Sequence, residues 1–408
     1  MTTAAPLALY GPAFAADPHG HYDRLRLHGT MAPVELAPGV AALLVTDYQA
    51  ALDLLRDTHT FSKDPRDWQA GVPDDSPVLP MLGYRPTAMF SDGEVHERYR
   101  QAINDTLAMI EPHVLQAQVA AVSERLLREF AGAGTADLVA SYAQMLPLHV
   151  FNTWFGVAAA DSDRLVAGIT GTMTSTGNAV AAYDDLVDVV SALVADRRAH
   201  PRRDLTSYFL AHPARLNNDE TVRQIAHTMV TGHEPTTNLI ANSLLRILTD
   251  PRYAGSVYGG AMTAHEAINE VLWQDPPLAN LSAHYARYDT EFHGVRLREG
   301  QLVLVSYAAA NSDAAPEAAA GPAGSGQNAH LAWGAGPHGC PARQPALLIA
   351  ITAVEQLTSQ LCDMELALPT AELLWRPGPF HRALTHLPVR FTPLAAAPAG
   401  AGGKGAEE

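Results

Sequence analysis

The chain has 408 residues, a net charge of −16 with histidine neutral, and 47% hydrophobic residues. This length and apolar content can bury a large core, so we expect a globular protein. The acidic excess argues against nucleic acid and anionic membrane surfaces as partners. Two cysteines cannot build a disulfide framework, and the amino terminus shows neither a signal peptide nor an apolar run of spanning length. We therefore expect a cytoplasmic protein without a membrane anchor.

Helical patterns dominate the sequence, and strand-like segments are few. In chain order, the patterns predict a strand at 40–48, a helix at 96–110, a long helix at 224–248, a helix at 262–273, a hairpin-like run at 288–307 and a helix at 346–357. The long helix is apolar on more than one face, which is typical of a helix that crosses the interior. Because strands and helices do not alternate, the predicted fold is mainly α with one small β region.

Two stretches lack the pattern of regular structure. Residues 314–330 contain proline and several glycines, so they are predicted to form an irregular connector. Residues 396–408 are rich in alanine and glycine and are predicted to form a disordered tail. The remaining residues, 1–395, are predicted to form a single domain.

The most informative stretch is a glycine-rich loop that ends in a cysteine, HLAWGAGPHGCPARQ at 330–344. Its glycines permit backbone conformations that other residues avoid, and they allow a close approach to a bulky partner. Cys340 lies at the mouth of the predicted 346–357 helix, and Pro341 suits a first helical position. Amide groups at a helix start favour the thiolate form of such a cysteine.

Several roles compete for a lone thiolate in this position. A nucleophile would need a base, and His338 is two residues away, but no nucleophile motif surrounds it. A zinc site needs further ligands at suitable spacing, and Cys362 lies too far along the following helix. A buried structural cysteine is the alternative without chemistry. A haem iron needs one axial thiolate and a closely approaching loop, and it fits best.

The cysteine loop resembles the haem-binding signature of the cytochrome P-450 family. That signature keeps an aromatic residue, a glycine, a histidine, the ligand cysteine and a small residue at fixed spacing, and Gly336, His338 and Cys340 match it. Tryptophan stands where the family usually has phenylalanine, and alanine where it usually has glycine. The resemblance implies haem b as cofactor, with Cys340 as proximal iron ligand, Trp333 shielding its sulfur, His338 facing a propionate, and Gly334 and Ala342 also against the haem.

The resemblance extends over roughly residues 8–395. His96 and Arg100 lie four residues apart on one face of a predicted helix, where the family has a pair that binds the haem propionates. A solvated surface pair is the alternative reading. His284 occupies the position of another propionate-binding arginine of the family. The implied architecture is the P-450 fold, a triangular helical prism with haem between a long central helix and a proximal helix.

The central helix departs from the family pattern at one position. TGHEPTT, residues 231–237, resembles the oxygen-activation motif, but Pro235 stands where a threonine is expected. Proline lacks an N–H and clashes with the carbonyl four residues earlier, so we expect a widened helix at Thr231. The resemblance assigns proton handling to Glu234 and Thr236, and haem contact to Gly232 and Pro235.

The helix predicted at 262–273 carries a second departure. The family has glutamate, two residues and arginine, whereas here Glu270 is followed by Trp273, as in a small actinobacterial branch that the chain resembles. A second arginine, expected near 324–325, is also absent. Tryptophan donates a single N–H and cannot form the fork of arginine. We therefore expect Glu270 to be bonded by residues 321–330 or by the Trp273 indole, and not by an arginine.

The function implied by the resemblance is that of a soluble bacterial haem-thiolate monooxygenase. It would insert one oxygen atom of O2 into a small organic substrate, with electrons from a ferredoxin or flavodoxin. A peroxide-driven enzyme is an alternative, favoured by the missing threonine. A haem-binding sensor or interaction protein with little turnover is another, favoured by the several departures together. The candidate substrate-binding residues are His227, Val230, Thr231, Asn280 and Ser282.

Overall fold

The computed structural model describes residues 6–175, 177–254, 263–319 and 329–394. Helices fill most of these ranges. They are α1 (Pro12–Ala16), α2 (Pro18–Arg26), α3 (Tyr48–Arg56), α4 (Arg66–Gln69), α5 (Leu79–Leu82), α6 (Gly93–Leu107), α7 (Pro112–Phe130), α8 (Met145–Phe155), α9 (Ser162–Thr174), α10 (Ala179–Ala199), α11 (Leu205–Ala211), α12 (Asn218–Thr249), α13 (Pro251–Ala254), α14 (Ala264–Gln274), α15 (Tyr307–Ala319) and α16 (Arg343–Gln360). Within the described ranges, every helix is too short or too polar to span a bilayer.

The strands are short and form three small sheets. They are β1 (Leu7–Ala8), β2 (Met31–Ala37), β3 (Val40–Val45), β4 (Phe61–Ser62), β5 (Thr135–Asp137), β6 (Asn280–Ala286), β7 (Thr290–Phe292), β8 (Val295–Leu297), β9 (Leu302–Ser306), β10 (Glu365–Leu366) and β11 (Pro388–Arg390). Six strands pair in the order β1-β2-β3-β9-β6-β4, while β10-β11-β5 and β7-β8 form the other two sheets. The predicted class, mainly α with a small β region, is confirmed.

Helix α12 is the central element of the fold. It has 32 residues, a length of about 48 Å at 1.5 Å per residue. A capping box of Asn217 and Glu220 satisfies the amide groups at its start. The helix packs against α8, α9, α10, α14 and α16, so it crosses the interior, as its apolar faces predicted. Pro235 lies inside this helix without ending it, and the Thr231 carbonyl is left without its usual N–H donor.

Strand β6 carries a bulge where it enters the interior. Leu281 pairs with Val305 and Ala283 pairs with Leu304, so Ser282 has no partner on β9. The backbone of Ser282 has a φ of 62°, in the left-handed region that residues with a side chain rarely adopt. Bulges re-aim side chains and are frequent beside functional sites. Here the bulge turns Ser282 out of the ladder.

The segments that flank the cysteine loop differ from their predictions. Helix α15 continues to Ala319, so the prediction of irregular structure is wrong for 314–319, where alanine favours helix strongly. Helix α16 begins at Arg343 with Ala342 as its N-cap, so Pro341 precedes the helix and is not its first residue.

Other predictions concern residues that the structure does not describe. Residues 320–328 of the predicted connector and the predicted tail at 396–408 lie outside the described residues. The assignment of 1–395 to a single domain stays a prediction.

The prediction that Glu270 has no arginine partner is wrong. Its carboxylate accepts hydrogen bonds from Arg246 at 2.9 Å and from Arg252 at 2.8 Å. Both arginines also pair with Asp250, which lies between them in sequence. The cations come from the end of α12 and from α13, and neither position carries an arginine in the family motif that the sequence resembles. Trp273 instead lies edge-on to His330, with 5.8 Å between the ring centroids.

We expect Arg246→Met to lower the free energy of unfolding by about 1–2 kcal/mol. The Arg246 and Glu270 side chains are only 27% and 23% exposed, so their ion pair is partly shielded from water. Urea unfolding of the purified protein measures the change. Arg128→Met is the control, because Arg128 pairs with Glu124 at a site where both side chains are more than half exposed. Equal effects of the two substitutions would contradict a stabilising role for the cluster.

Candidate active site

An apolar cavity of about 210 Å³ lies between α12 and the cysteine loop. Helices α6 and α8, the bulge of β6 and the start of α16 complete its walls. Among the described residues, no aspartate or glutamate lines it. Two arrangements of polar groups interrupt the apolar surface, one on the cysteine loop with its basic neighbours and one along α12.

The cysteine loop is fixed by a backbone hydrogen bond and by a close approach to α3. The Cys340 N–H donates to the Trp333 carbonyl at 2.7 Å and closes the loop. Gly336 has a φ of 66°, and a Cβ atom there would lie 2.3 Å from the Leu55 carbonyl oxygen at the end of α3. Any other residue at 336 would therefore force the loop away from α3. This packing holds Cys340 at the cavity wall.

The Cys340 thiol opens onto the cavity. Burial by the surrounding protein raises its pKa, while the Ala342 amide and the arginines Arg100 and Arg343 act to lower it. Cys362 follows the far end of α16 and does not line the cavity. The amide groups at the start of α16 were predicted to favour the thiolate. One such amide, that of Ala342, does lower the pKa of Cys340, but burial raises the pKa by more.

Three of the predicted cofactor-binding side chains meet beside the thiol. The rings of His96 and His338 lie 4.1 Å apart between centroids, and the Arg100 guanidinium donates to the Gly339 carbonyl. Burial lowers the pKa of both histidines and of Arg100. The buried Nε2 of His96 has no hydrogen-bond partner among the described residues. His338 and Arg100 face the cavity, whereas no aspartate or glutamate of the described residues lines it.

Sequence reasoning missed a fourth basic residue on this wall. Lys63, just after β4, lines the cavity together with Arg100 and His338. Its ammonium donates to the Ala283 carbonyl at 2.5 Å and to the Ser282 hydroxyl at 3.1 Å. These partners lie more than two hundred positions away in sequence, so no local pattern indicated the contact. Burial lowers the pKa of Lys63 to about 7, an effect that the charge of Asp92 opposes.

The donor set fits a haem. Iron protoporphyrin is a flat apolar ring with two carboxylates and an iron that accepts one axial protein ligand. The apolar cavity suits the ring, the buried Nε2 of His96 and the cationic groups Arg100 and Lys63 suit the carboxylates, and the Cys340 thiol suits the iron. Of the residues predicted to contact this cofactor, those that line the cavity are Arg100, Gly232, Pro235, Trp333, Gly334, His338, Cys340 and Ala342. His96 and His284 lie behind that lining.

Helix α12 presents a mixed polar and apolar wall to the cavity. The residues on this wall are Gln224, His227, Thr228, Thr231, Gly232, Pro235, Thr236 and Leu239. The hydroxyl of Thr236 donates to the Gly232 carbonyl at 2.7 Å, and that of Thr231 donates to the His227 carbonyl at 2.8 Å. Both hydroxyl protons are therefore bound by the helix itself. Gly232 leaves room for the Phe151 ring, which a Cβ atom would meet at 2.7 Å.

Two of the five predicted substrate-binding residues do not line the cavity. Val230 points into the core, since one helical position rotates a side chain by about 100° from Thr231. Asn280 is buried, accepting from the Tyr22 hydroxyl at 3.1 Å and donating to the Pro379 carbonyl at 2.8 Å. Its role is structural. His227, Thr231 and Ser282 do line the cavity.

Glu234 also lies off the cavity wall, contrary to the direct role expected for it. Its buried carboxylate binds the Arg376 guanidinium and accepts from the Thr170 hydroxyl at 3.2 Å. Arg376 belongs to the segment after α16 and Thr170 to α9, so the carboxylate joins three parts of the chain. The sequence motif identified the acid, but nothing near it in sequence indicated the arginine.

The chain is similar along nearly its whole length to bacterial oxidising enzymes. It is 27% identical over 399 residues to a vitamin D(3) 25-hydroxylase from Pseudonocardia autotrophica, covering 95% of this chain and 97% of the relative. It is 28% identical over 411 residues to the cytochrome P450 monooxygenase PikC of Streptomyces venezuelae, covering 96% of each. No protein-family model matches the chain.

The fold is shared with solved structures as well. CYP154C4 from Streptomyces sp. W2061 superimposes with a TM-score of 0.86 at 27% identity, covering 95% of this chain and 98% of that one. Together with the cysteine loop and the cavity, these similarities support the assignment of the chain to the cytochrome P450 family. It is an oxidoreductase of the monooxygenase type, and the family implies a haem cofactor.

We expect Arg376→Met to lower the free energy of unfolding by about 3–5 kcal/mol, because it leaves a buried carboxylate without its cation. Glu234 is only 1% exposed. The double substitution Arg376→Met with Glu234→Gln removes the orphaned charge and should recover much of the loss. Urea unfolding of the single and double variants provides the measurement.

The matched control is Arg390→Met, because Arg390 pairs with Glu365 at a site where both side chains are more than half exposed. That substitution should change the unfolding free energy by less than about 0.5 kcal/mol. A double variant as unstable as Arg376→Met alone would show that the arginine matters for packing and not for the charge of Glu234.

Proposed function

We propose that this protein inserts one oxygen atom of dioxygen into a small, mostly apolar organic substrate at a haem b ligated by Cys340. The second oxygen atom leaves as water, and two electrons and two protons are consumed. The observation that carries the proposal is the Cys340 thiol, held by the glycine loop at the wall of an apolar cavity beside uncompensated cations. The bound haem iron supplies the oxidising chemistry.

The chain's own residues supply ligation, position and exclusion of water. Cys340 binds the iron through its thiolate, and Trp333 covers the sulfur. His96, Arg100 and His338 would bind the propionates, since these groups lie together and no described aspartate or glutamate lines the cavity beside them. The apolar wall keeps water from the reacting atoms.

The wall of α12 suits a substrate that carries a hydroxyl or carbonyl group. The His227 ring faces the cavity, and its nitrogens bind no other group among the described residues. Burial lowers the pKa of His227 to about 3, with a further contribution from nearby Arg85, so the ring is neutral. A neutral ring offers one donor and one acceptor to a substrate. Thr231 and Ser282 complete the polar positions of the substrate site.

A ferredoxin or flavodoxin is the proposed electron donor. The cysteine loop reaches the surface at Gly336 and Pro337, both of them exposed. An electron carrier that docks there lies next to the sulfur and thus to the iron. A cytoplasmic location accords with the free thiols of Cys340 and Cys362.

A peroxide-dependent reaction is the second candidate. Pro235 lines the cavity where the family motif has an alcohol, and proline offers neither a side-chain donor nor an N–H. The neighbouring hydroxyls of Thr231 and Thr236 donate to backbone carbonyls, and Glu234 is bound to Arg376. Proton delivery from this wall is therefore weak. Hydrogen peroxide already brings both oxygen atoms with their protons and electrons, so its use depends less on such delivery.

Cys340→Ser should abolish the absorption band of thiolate-ligated haem in the carbon monoxide difference spectrum of the reduced protein, because serine offers no thiolate. Cys362→Ser is the matched control and should leave the band unchanged, since Cys362 lies away from the cavity. The reverse pattern would refute the assignment of Cys340 as the ligand.

Pro235→Thr should raise the product formed per electron consumed several-fold with a ferredoxin system, because it places an alcohol on the cavity wall. Product formed with hydrogen peroxide should change little. The substrate for both assays is a compound chosen from a panel of apolar alcohols and ketones by its effect on the iron spin state. A wild type that is tightly coupled with ferredoxin, and unaffected by the substitution, would show that Pro235 only shapes the helix.

A further inference from the structure

Lys63 is a buried cation without a carboxylate partner. Its side chain is 5% exposed, and its ammonium donates only to the neutral oxygens of Ser282 and Ala283 among the described residues. The nearby carboxylate of Asp92 accepts instead from the Lys63 backbone amide, from the Ser62 hydroxyl at 2.6 Å and from Arg287 at 2.9 Å. One ammonium proton is therefore left for a group in the cavity that Lys63 lines.

The choice of lysine at this position is unusual for the chain. Of its 27 basic residues, only Lys63 and Lys404 are lysines, and the rest are arginines. A lysine ammonium concentrates its charge at one nitrogen, whereas guanidinium spreads the same unit charge over a plane. A buried cation is costly unless a partner offsets its charge. These facts indicate that an anion completes the site.

His284, the residue at the position of the family's arginine, is not suited to hold that anion. Its Nδ1 lies 2.8 Å from the Ser282 carbonyl, so Nδ1 carries the proton and donates it. The ring is neutral, because burial and the charge of Lys63 hold its pKa well below the usual value. Nε2 of a neutral ring protonated at Nδ1 is an acceptor and repels a carboxylate. Strand β6 therefore offers no cation to that anion, and Lys63 reaches the same bulge from β4.

We propose that Lys63 binds a haem propionate and supplies the charge that β6 lacks, in the cavity that Arg100 also lines. This inference rests on the haem site proposed above. The propionate occupies the third donor position of the ammonium and gives the buried charge its partner. The Ser282 bulge positions the lysine, because it presents both the Ser282 hydroxyl and the Ala283 carbonyl to it.

Haem loss from the holoenzyme to excess apomyoglobin tests the proposal. Lys63→Met should lose haem about tenfold faster or more, the effect typical of removing a hydrogen bond to a charged group. Lys63→Arg keeps the charge and should lose haem less than about threefold faster than the wild type. Lys404→Met is the matched control and should lose haem at the wild-type rate.

Resonance Raman spectra of the same proteins separate binding from a merely structural role. The propionate bending band should shift in Lys63→Met, shift less in Lys63→Arg and stay in place in Lys404→Met. Unchanged haem loss and an unchanged band in Lys63→Met would overturn the proposal. If Lys63→Met does not retain haem, Lys63→Gln takes its place, because glutamine keeps a donor but removes the charge. Wild-type haem loss and an unshifted band in Lys63→Gln would likewise overturn the proposal. A wild type that carries no haem would instead refute the haem site itself.

Discussion

The site depends on how closely the cysteine loop approaches the end of α3. Gly336 places its backbone against the Leu55 carbonyl, where a Cβ atom would be 2.3 Å away. With the loop held there, the bond from the Cys340 amide to the Trp333 carbonyl sets the direction of the thiol. The Arg100 guanidinium then binds the Gly339 carbonyl from α6. One steric constraint thus places the Cys340 thiol and the Arg100 guanidinium, the proposed iron ligand and propionate-binding cation, on the same wall.

Local motifs were sufficient to predict the parts of the site that lie close together in sequence. The cysteine loop and the pair His96 and Arg100 are each encoded within a few residues. The structure brings the loop and Arg100 to one cavity, with His96 behind its lining and against the His338 ring. The helical class and the short strands also followed from periodicity. A single helical position separates Thr231, on the cavity wall, from Val230, in the core, and the sequence alone does not resolve such a difference.

The residues that were missed act across long distances in the chain. Lys63 reaches β6, Arg376 reaches Glu234, and Arg246 reaches Glu270. In each case the sequence analysis named one partner, Ser282, Glu234 or Glu270. The basic residue that binds it depends on the packing of elements far apart in sequence. Glu270 was expected to lack an arginine because the two arginine positions of the family motif hold other residues. The end of α12 supplies Arg246 instead. Buried charge requires a partner, but sequence does not say which.

The burial of Lys63 makes cleavage by a lysine-specific protease depend on local opening of the cavity wall. Its amide donates to Asp92 and its side chain points inward, so the peptide bond after it is protected while β4 stays paired with β6. Cleavage there requires local opening of the cavity wall. Because no other lysine precedes residue 404, one large internal fragment would accumulate in proportion to the population of the opened wall, as long as the wall recloses faster than the protease cuts. Because lysine is scarce in this chain, cleavage after one buried side chain reports the opening of the cavity wall without interference from other lysine sites.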